Sequence, residues 1–155
     1  MSVKLGSLPR LSVAQGIGLS YMIARWILGI SFINAAVWKI FILTPVGHAT
    51  KFFLIPFKET WIPNYLLWPL GLTIPFFELF VGILFCIGWR AREVAFATGL
   101  LLILTTYGHS LLEPLYNISQ GLTMARVALV LFLLVTPDDK DYISVSFLLK
   151  KVRKP

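Results

Sequence analysis

Residues Asn64–Trp89 read NYLLWPLGLTIPFFELFVGILFCIGW, and Glu78 is the one charged side chain among them. A helix that spans a bilayer needs roughly 20 mostly apolar residues, and this stretch exceeds that length. A charge near the centre of such a helix costs about 3 kcal/mol. The stretch therefore predicts a transmembrane helix whose carboxyl group either binds something or holds helices together.

Three further apolar blocks extend this prediction to the rest of the chain. They run from Gly18 to Ile42, from Glu93 to Pro114 and from Ile118 to Thr136. Hydrophobic residues make up 57% of the 155 residues and charged residues 14%, whereas soluble proteins carry roughly 25% charged residues. This composition excludes a soluble globular protein. We expect an all-α integral membrane protein, a four-transmembrane-helix antiparallel bundle that forms a single domain over residues 1–155.

The distribution of basic residues predicts the orientation of this bundle. Cytoplasmic segments of membrane proteins are enriched in Lys and Arg. With the N-terminus inside, the outer connection carries only Lys51 and Lys58, whereas the inner segments carry Lys4, Arg10, Arg90, Arg92, Lys140, Lys150, Lys151, Arg153 and Lys154. Both termini are therefore predicted to be cytoplasmic. The basic tail 137–155 would lie against anionic lipids of the inner leaflet, with membrane lipids and no nucleic acid as partners.

The connection between the first two predicted helices, residues 43–63, is rich in aromatic side chains. Aromatic residues favour the interface between lipid and water, so one interpretation is a segment that lies on the outer leaflet. The other is a lid over a ligand or a docking strip for a partner subunit. The side chains that would contact a partner are Phe52, Phe53, Phe57 and Trp61.

A stripe of small and polar residues marks one face of the second predicted helix. Its members recur every three or four residues and are Gly71, Pro75, Glu78, Gly82 and Cys86. Small residues let helices approach closely in lipid. Pro75 removes a backbone donor and so frees a carbonyl group three to four residues earlier. We expect this face to pack inside the bundle, with Glu78 one turn beyond a kink.

Each predicted helix holds an ionisable side chain within its apolar run. These residues are Arg25, Glu78, His109 and Arg126. Charges inside a membrane usually pair with one another, and either arginine lies at a depth from which it could reach Glu78. One hypothesis is therefore a structural network of buried ion pairs, with Arg25 and Lys39 as structural charges.

The order and spacing of these residues resemble the DoxX/DoxD family of four-helix membrane proteins over roughly residues 18–137. The pattern is an Arg-x-x-x-Gly and a later Lys in the first helix, a Glu followed by a Gly in the second, a Gly-x-x-x-Arg turn, and an Arg in the fourth. In this sequence these residues are Arg25, Gly29, Lys39, Glu78, Gly82, Gly88, Arg92 and Arg126.

The resemblance implies a multi-pass protein of a prokaryotic inner (plasma) membrane, similar to the membrane subunit of a thiosulfate:quinone oxidoreductase. Such a subunit would bind quinone and act in electron transport, with electrons supplied by a partner subunit. Cys86 is the only cysteine, so one chain cannot form a redox dithiol. His48 and His109 make a poor haem site, and the four ligands of a structural zinc site are lacking. No haem, metal or covalent cofactor is expected.

Within that setting we expect a quinone site in the outer half of the bundle. His109 would be the catalytic residue, because imidazole exchanges protons near neutral pH. Arg126 would stabilise the charge that develops on the quinol, and Glu113 would connect the site to water outside. Glu78 would complete the ligand-binding set.

The alternative is a non-catalytic accessory subunit of a large respiratory or photosynthetic complex. It would fill a gap among lipids and stabilise assembly, and its buried charges would only hold the helices together. The lack of a metal or dithiol motif favours this interpretation. The polar residues concentrated in the outer half favour the quinone site.

Overall fold

The computed structural model describes residues 12–112, 122–137, 141 and 143–152. Within these ranges all regular structure is helical, as predicted. The helices are α1 (Val13–Val37, continued by a π-helical turn at Trp38–Ile42), α2 (Pro45–Ala49, continued by a π-helical turn at Thr50–Leu54), α3 (Asn64–Ile87), α4 (Ala91–Leu112), α5 (Leu122–Val135) and α6 (Val145–Val152). Three continuous helical segments are long and apolar enough to cross a membrane, namely Val13–Ile42, Asn64–Ile87 and Ala91–Leu112.

The first helix begins five residues before the predicted start at Gly18, because Ser12 caps it. The Ser12 hydroxyl accepts a hydrogen bond from the Gln15 N–H at 3.3 Å, and the Gln15 side chain accepts one from the Ser12 N–H at 3.0 Å. This reciprocal pair satisfies backbone donors that a helix N-terminus otherwise leaves free. The predicted end of this helix at Ile42 agrees with the structure.

The other helix bounds differ from the prediction by small amounts. The helix α3 begins at Asn64 as predicted and ends two residues early, because Gly88 takes a left-handed conformation with φ 70°. The helix α4 spans Ala91–Leu112, whereas Glu93–Pro114 was expected, and Pro114 lies outside the described residues. The helix α5 covers Leu122–Val135 of the predicted Ile118–Thr136, and residues 118–121 are likewise outside.

The helices α1 and α3 form the most extensive contact among the described elements, and they cross at a pair of glycines. A Cβ atom placed on Gly29 would lie 2.9 Å from the Gly82 carbonyl oxygen, and one placed on Gly82 would lie 2.9 Å from the Gly29 carbonyl oxygen. Any side chain at this crossing would therefore separate the helices. The helix α1 also packs against α5, and α4 packs against α5 and α3.

A buried apolar core lies between these helices, and many large apolar side chains point away from it. The core is built mainly from Tyr21, Leu28, Phe32, Val81, Phe85, Val94, Leu102, Val130 and Leu133. The outward-facing side chains that are more than half exposed include Ile27, Phe80, Phe96 and Ile103. Apolar surface of this extent needs an apolar surrounding, which agrees with the prediction of a membrane protein.

Arg25 is fully buried where α3 ends, and it holds the chain segment after α5 in place. Its Nε atom lies 3.0 Å from Oδ2 of Asp141, whose side chain is also buried. Its Nη1 atom donates to the carbonyl oxygens of Phe85 and, at 2.7 Å, Cys86. The last carbonyl groups of a helix lack partners within it, so one guanidinium satisfies the end of α3 and a distant carboxylate. We call this end of the molecule the tail end.

The short helix α6 is fastened to the turn between α3 and α4. The Ser144 hydroxyl accepts from the Phe147 N–H at 3.1 Å and so caps the helix. The Ser146 hydroxyl accepts from the Arg90 N–H at 2.9 Å. Leu148 and Val152 of α6 stay exposed, so the helix presents apolar surface at the tail end.

Replacing Asp141 by Asn is expected to destabilise the folded protein by about 3–5 kcal/mol, because the buried Arg25 guanidinium then lacks a counter-charge. Denaturant unfolding in detergent micelles, followed by circular dichroism, measures the change. Glu93→Gln is the matched control, since the Arg90–Glu93 pair has both side chains 60% exposed and is worth less than about 1 kcal/mol. Equal losses in the two variants would contradict the structural role of Asp141.

Candidate functional site

A cleft opens at the end of the helices that carries residues 43–63, which we call the connection end. Its volume is ≈ 670 Å³, and it lies between α3, α4 and the connection. Most of its wall is apolar and aromatic. The basic, acidic and imidazole side chains in the wall are Lys39, His48, Glu78 and His109.

The structure brings most of the predicted site residues into this one cleft. They are Lys39, Glu78, His109, Phe52, Phe53, Phe57 and Trp61. Arg25 lies at the tail end, and Glu113 lies outside the described residues. Arg126 does not line the cleft, because its guanidinium sits over the Phe32 ring of α1, 4.8 Å from the ring centroid. An arginine over an aromatic face is stabilised by a cation–π interaction.

Glu78 pairs with Lys39. The sequence hypothesis allowed Arg25 or Arg126 as its partner, and neither of them pairs with it. The Lys39 Nζ atom lies 2.6 Å from Oε2 and 2.7 Å from Oε1 of the carboxylate. The side chains are only 20% and 6% exposed. Helical side chains lean toward the N-terminus of their helix, so Lys39 reaches back from the end of α1 to the level of Glu78. The pair stands in the cleft wall and fixes α1 against α3.

His48 is buried against α3 because Pro75 leaves a carbonyl group there without its usual donor. In a helix the N–H of residue 75 would bond the carbonyl oxygen of Gly71, but proline has no N–H. The His48 Nδ1 atom lies 2.6 Å from that oxygen. A Cβ on Gly71 would lie 2.5 Å from the Ala49 Cα, so only glycine lets α2 approach closely enough for this contact.

The surroundings of His48 favour its neutral form. Burial lowers the pKa of its imidazole, and the charge of Lys39 acts in the same direction. The hydrogen bond to the Gly71 carbonyl and the charge of Glu78 oppose these effects without cancelling them. The sequence marks His48 only as a weak haem ligand; the spacing of Gly71 and Pro75, four residues apart, is the signal that could have found it.

The aromatic connection folds over the cleft. The Phe53 and Phe57 rings stack with centroids 6.4 Å apart, and the His48 centroid lies 5.5 Å from those of Phe52 and Phe53. Phe57 is buried, whereas Phe52 is 42% exposed and Trp61 76% exposed. Of the four residues predicted to contact a partner, Phe57 is thus turned inward and Trp61 is the most accessible.

A second groove lies between α4 and α5 and differs in chemistry from the cleft. Its volume is ≈ 540 Å³, and its lining includes Phe96, Leu100, Thr106, Val127 and Leu131. Its lining among the described residues includes no charged side chain. A surface of this kind fits an acyl chain and offers little to orient a polar head group.

The cleft offers two imidazoles and an ion pair as its chemical groups. Within the part of the chain that the structure describes, no three His, Cys, Asp or Glu side chains cluster as metal ligands would. Comparison with family models, with curated proteins and with solved structures finds no match to this chain. Its chemistry is therefore inferred from the side chains themselves.

A double-mutant cycle on Lys39 and Glu78 is expected to give a coupling energy of at least about 2 kcal/mol. Lys39→Met alone leaves a carboxylate buried without its cation, whereas Lys39→Met with Glu78→Leu leaves no charge to satisfy and recovers much of the loss. Unfolding free energies in detergent measure all four proteins. The same cycle on Lys58 and Glu59, which are 69% and 84% exposed, should couple by less than about 1 kcal/mol. Equal coupling in both cycles would contradict a buried, ionised pair.

Proposed function

We propose that this chain binds a quinone in the connection-end cleft, as the membrane subunit of a quinone-linked oxidoreductase complex. The observation that carries the proposal is the meeting of two imidazoles and the Lys39–Glu78 pair in one aromatic-lined cleft. Ligand sites typically measure about 300–1,000 Å³ and combine apolar walls with a few polar groups. The cleft, at ≈ 670 Å³, has this size and composition.

The groups in the cleft fit a planar head group with an apolar tail. His109 is exposed to the cleft, and no described residue forms a hydrogen bond with its ring, so it could bind a ligand oxygen and hold or release a proton there. Phe52, Phe57 and Trp61 offer aromatic faces to a ring. Apolar side chains such as Ile74 would flank the tail. A bound quinone supplies redox chemistry that protein side chains do not.

The proposal includes a four-span bundle with both termini in the cytoplasm. The three long apolar helices supply three spans, and the apolar run of the sequence that contains α5, which has 14 described residues, would supply the fourth. The Lys and Arg bias supports this orientation. The cleft would then lie in the outer half of the bundle, and α6 would lie at the inner surface.

A partner subunit would supply electrons, because a single Cys86 cannot form a dithiol within one chain. The exposed Trp61 and Phe52 beside the cleft are suited to contact such a partner. The residue pattern that resembles the DoxX/DoxD family supports the same setting, a complex in a prokaryotic inner membrane. In this proposal Lys39 and Arg25 hold the helices, and His109 contacts the ligand.

The second candidate is a non-catalytic accessory subunit of a large respiratory or photosynthetic complex. The specific observation in its favour is that two buried cations each have a carboxylate partner within the protein. Arg25 pairs with Asp141, and Lys39 pairs with Glu78. In this candidate the cleft would hold only a lipid.

Native mass spectrometry of the protein, extracted from its own membrane in mild detergent, tests the proposal. The wild type should carry a quinone-sized adduct together with one partner subunit. His109→Phe should lower adduct occupancy by about tenfold, because it keeps the bulk and removes a hydrogen bond to the ligand. Thr106→Val, in the second groove, is the matched control and should leave occupancy unchanged.

Two results of this experiment would contradict the proposal, one at His109 and one at the function as a whole. An adduct that His109→Phe and Thr106→Val leave equally intact would contradict the ligand role of His109. A stoichiometric place in a much larger complex, with only phospholipid bound, would make the protein an accessory subunit.

A further inference from the structure

The direction of one hydrogen bond determines which nitrogen of His48 can meet a ligand. The Gly71 carbonyl oxygen can only accept, so the His48 Nδ1 atom, 2.6 Å away, must carry the hydrogen. The oxygen is available because Pro75 cannot donate to it. The neutral imidazole therefore holds its hydrogen on Nδ1 and a lone pair on Nε2.

The lone pair on Nε2 is the unused polar group of this ring. His48 lines the cleft and is only 4% exposed, and no described residue donates a hydrogen bond to its Nε2 atom. The Phe52 and Phe53 rings flank the imidazole at 5.5 Å. The cleft thus holds an imidazole acceptor, set among aromatic rings, that has no donor among the described residues.

We propose that His48 Nε2 accepts a hydrogen bond from a ligand hydroxyl group, so that the cleft selects the reduced quinol over the oxidised quinone. This inference rests on the proposed function and adds to it the redox form that is bound. A quinone carbonyl oxygen only accepts, so against Nε2 it would leave two acceptors facing each other. A quinol hydroxyl donates to Nε2, and its oxygen can still accept from the other donors of the cleft.

The other charged and titratable groups of the cleft do not supply this selectivity. The Lys39 ammonium is a donor and already binds both oxygens of Glu78. The exposed His109 can donate or accept. The Glu78 carboxylate also only accepts, but Lys39 already donates to both of its oxygens, whereas His48 Nε2 has no donor among the described residues. Polar groups left unpaired are what lets a site reject an analogue that lacks a hydroxyl.

Binding to the purified full chain in lipid nanodiscs tests the proposal under anaerobic conditions. The probes are a decyl-substituted benzoquinol, the matching quinone and the dimethyl ether of the quinol. The quinol should bind at least about tenfold more tightly than either of the others, since both lack the hydroxyl hydrogen.

His48→Asn is the sharpest variant, because the asparagine amide can donate to the Gly71 oxygen in place of Nδ1 and has no equivalent of Nε2. We expect it to weaken quinol binding and to remove the repulsion between Nε2 and the quinone oxygen, so that the two forms bind with about equal affinity. Pro75→Ala is the second variant. This substitution returns a backbone N–H that can donate to the Gly71 oxygen. The His48 Nδ1–H would then lose its acceptor, and the preference for quinol over quinone should weaken.

The possible results distinguish a failure of the His48 role from a failure of the proposed function. Failure of all three probes to bind would overturn the proposed function. Equal binding of quinol and quinone, or a preference that survives His48→Asn, would overturn the role of His48 and leave the function standing. Binding of a ten-carbon monoacylglycerol as tight as that of the quinol would overturn the aromatic diol as the ligand. Nitrogen-15 NMR of labelled histidine should show the Nδ1–H tautomer in the wild type, and an Nε2–H signal for His48 would overturn the proposal directly.

Discussion

Two cations of the first helical segment, Arg25 and Lys39, hold the C-terminal half of α3. Arg25 binds the carbonyl groups at the end of α3 and the Asp141 carboxylate, and Lys39 binds Glu78. The cations are 14 residues apart, or about 21 Å along a helix. Between them the glycine crossing lets the backbones touch. A buried charge that loses its partner costs several kcal/mol, so these contacts favour one register of α1 on α3.

That register also determines the shape of the cleft. It fixes the orientation of the α3 face on which Pro75 leaves the Gly71 carbonyl without a backbone donor. Because Gly71 has no side chain, α2 can approach α3 closely at this point. The hydrogen bond between His48 and the Gly71 carbonyl oxygen then holds the aromatic connection against α3. The turns that carry Lys39 and Phe52 are both π-helical, a rare geometry that is frequent at functional sites. The connection is therefore part of the site.

Local patterns in the sequence predicted the helices, while the contacts between distant residues could not be predicted from them. Length and apolar content place the start of α3 at Asn64 because both are local properties. The partner of Glu78 depends on how far Lys39 leans back along α1, which periodicity does not encode. Asp141 lies in a polar run and its partner Arg25 is 116 residues away. Four of the five residues in the stripe on α3 are buried, yet the spacing alone did not point to His48.

Photoaffinity labelling with an azidoquinol, followed by mass mapping of the labelled residues, tests the central claim most directly. That claim is that the ligand head group sits in the connection-end cleft, between the aromatic connection and the end of α4. The account predicts labels within residues 48–61 and 104–112, which excess unlabelled quinol should abolish. Labels confined to the α4–α5 groove, around Phe96 and Leu131, would show a molecule held only by apolar surface and would contradict the account.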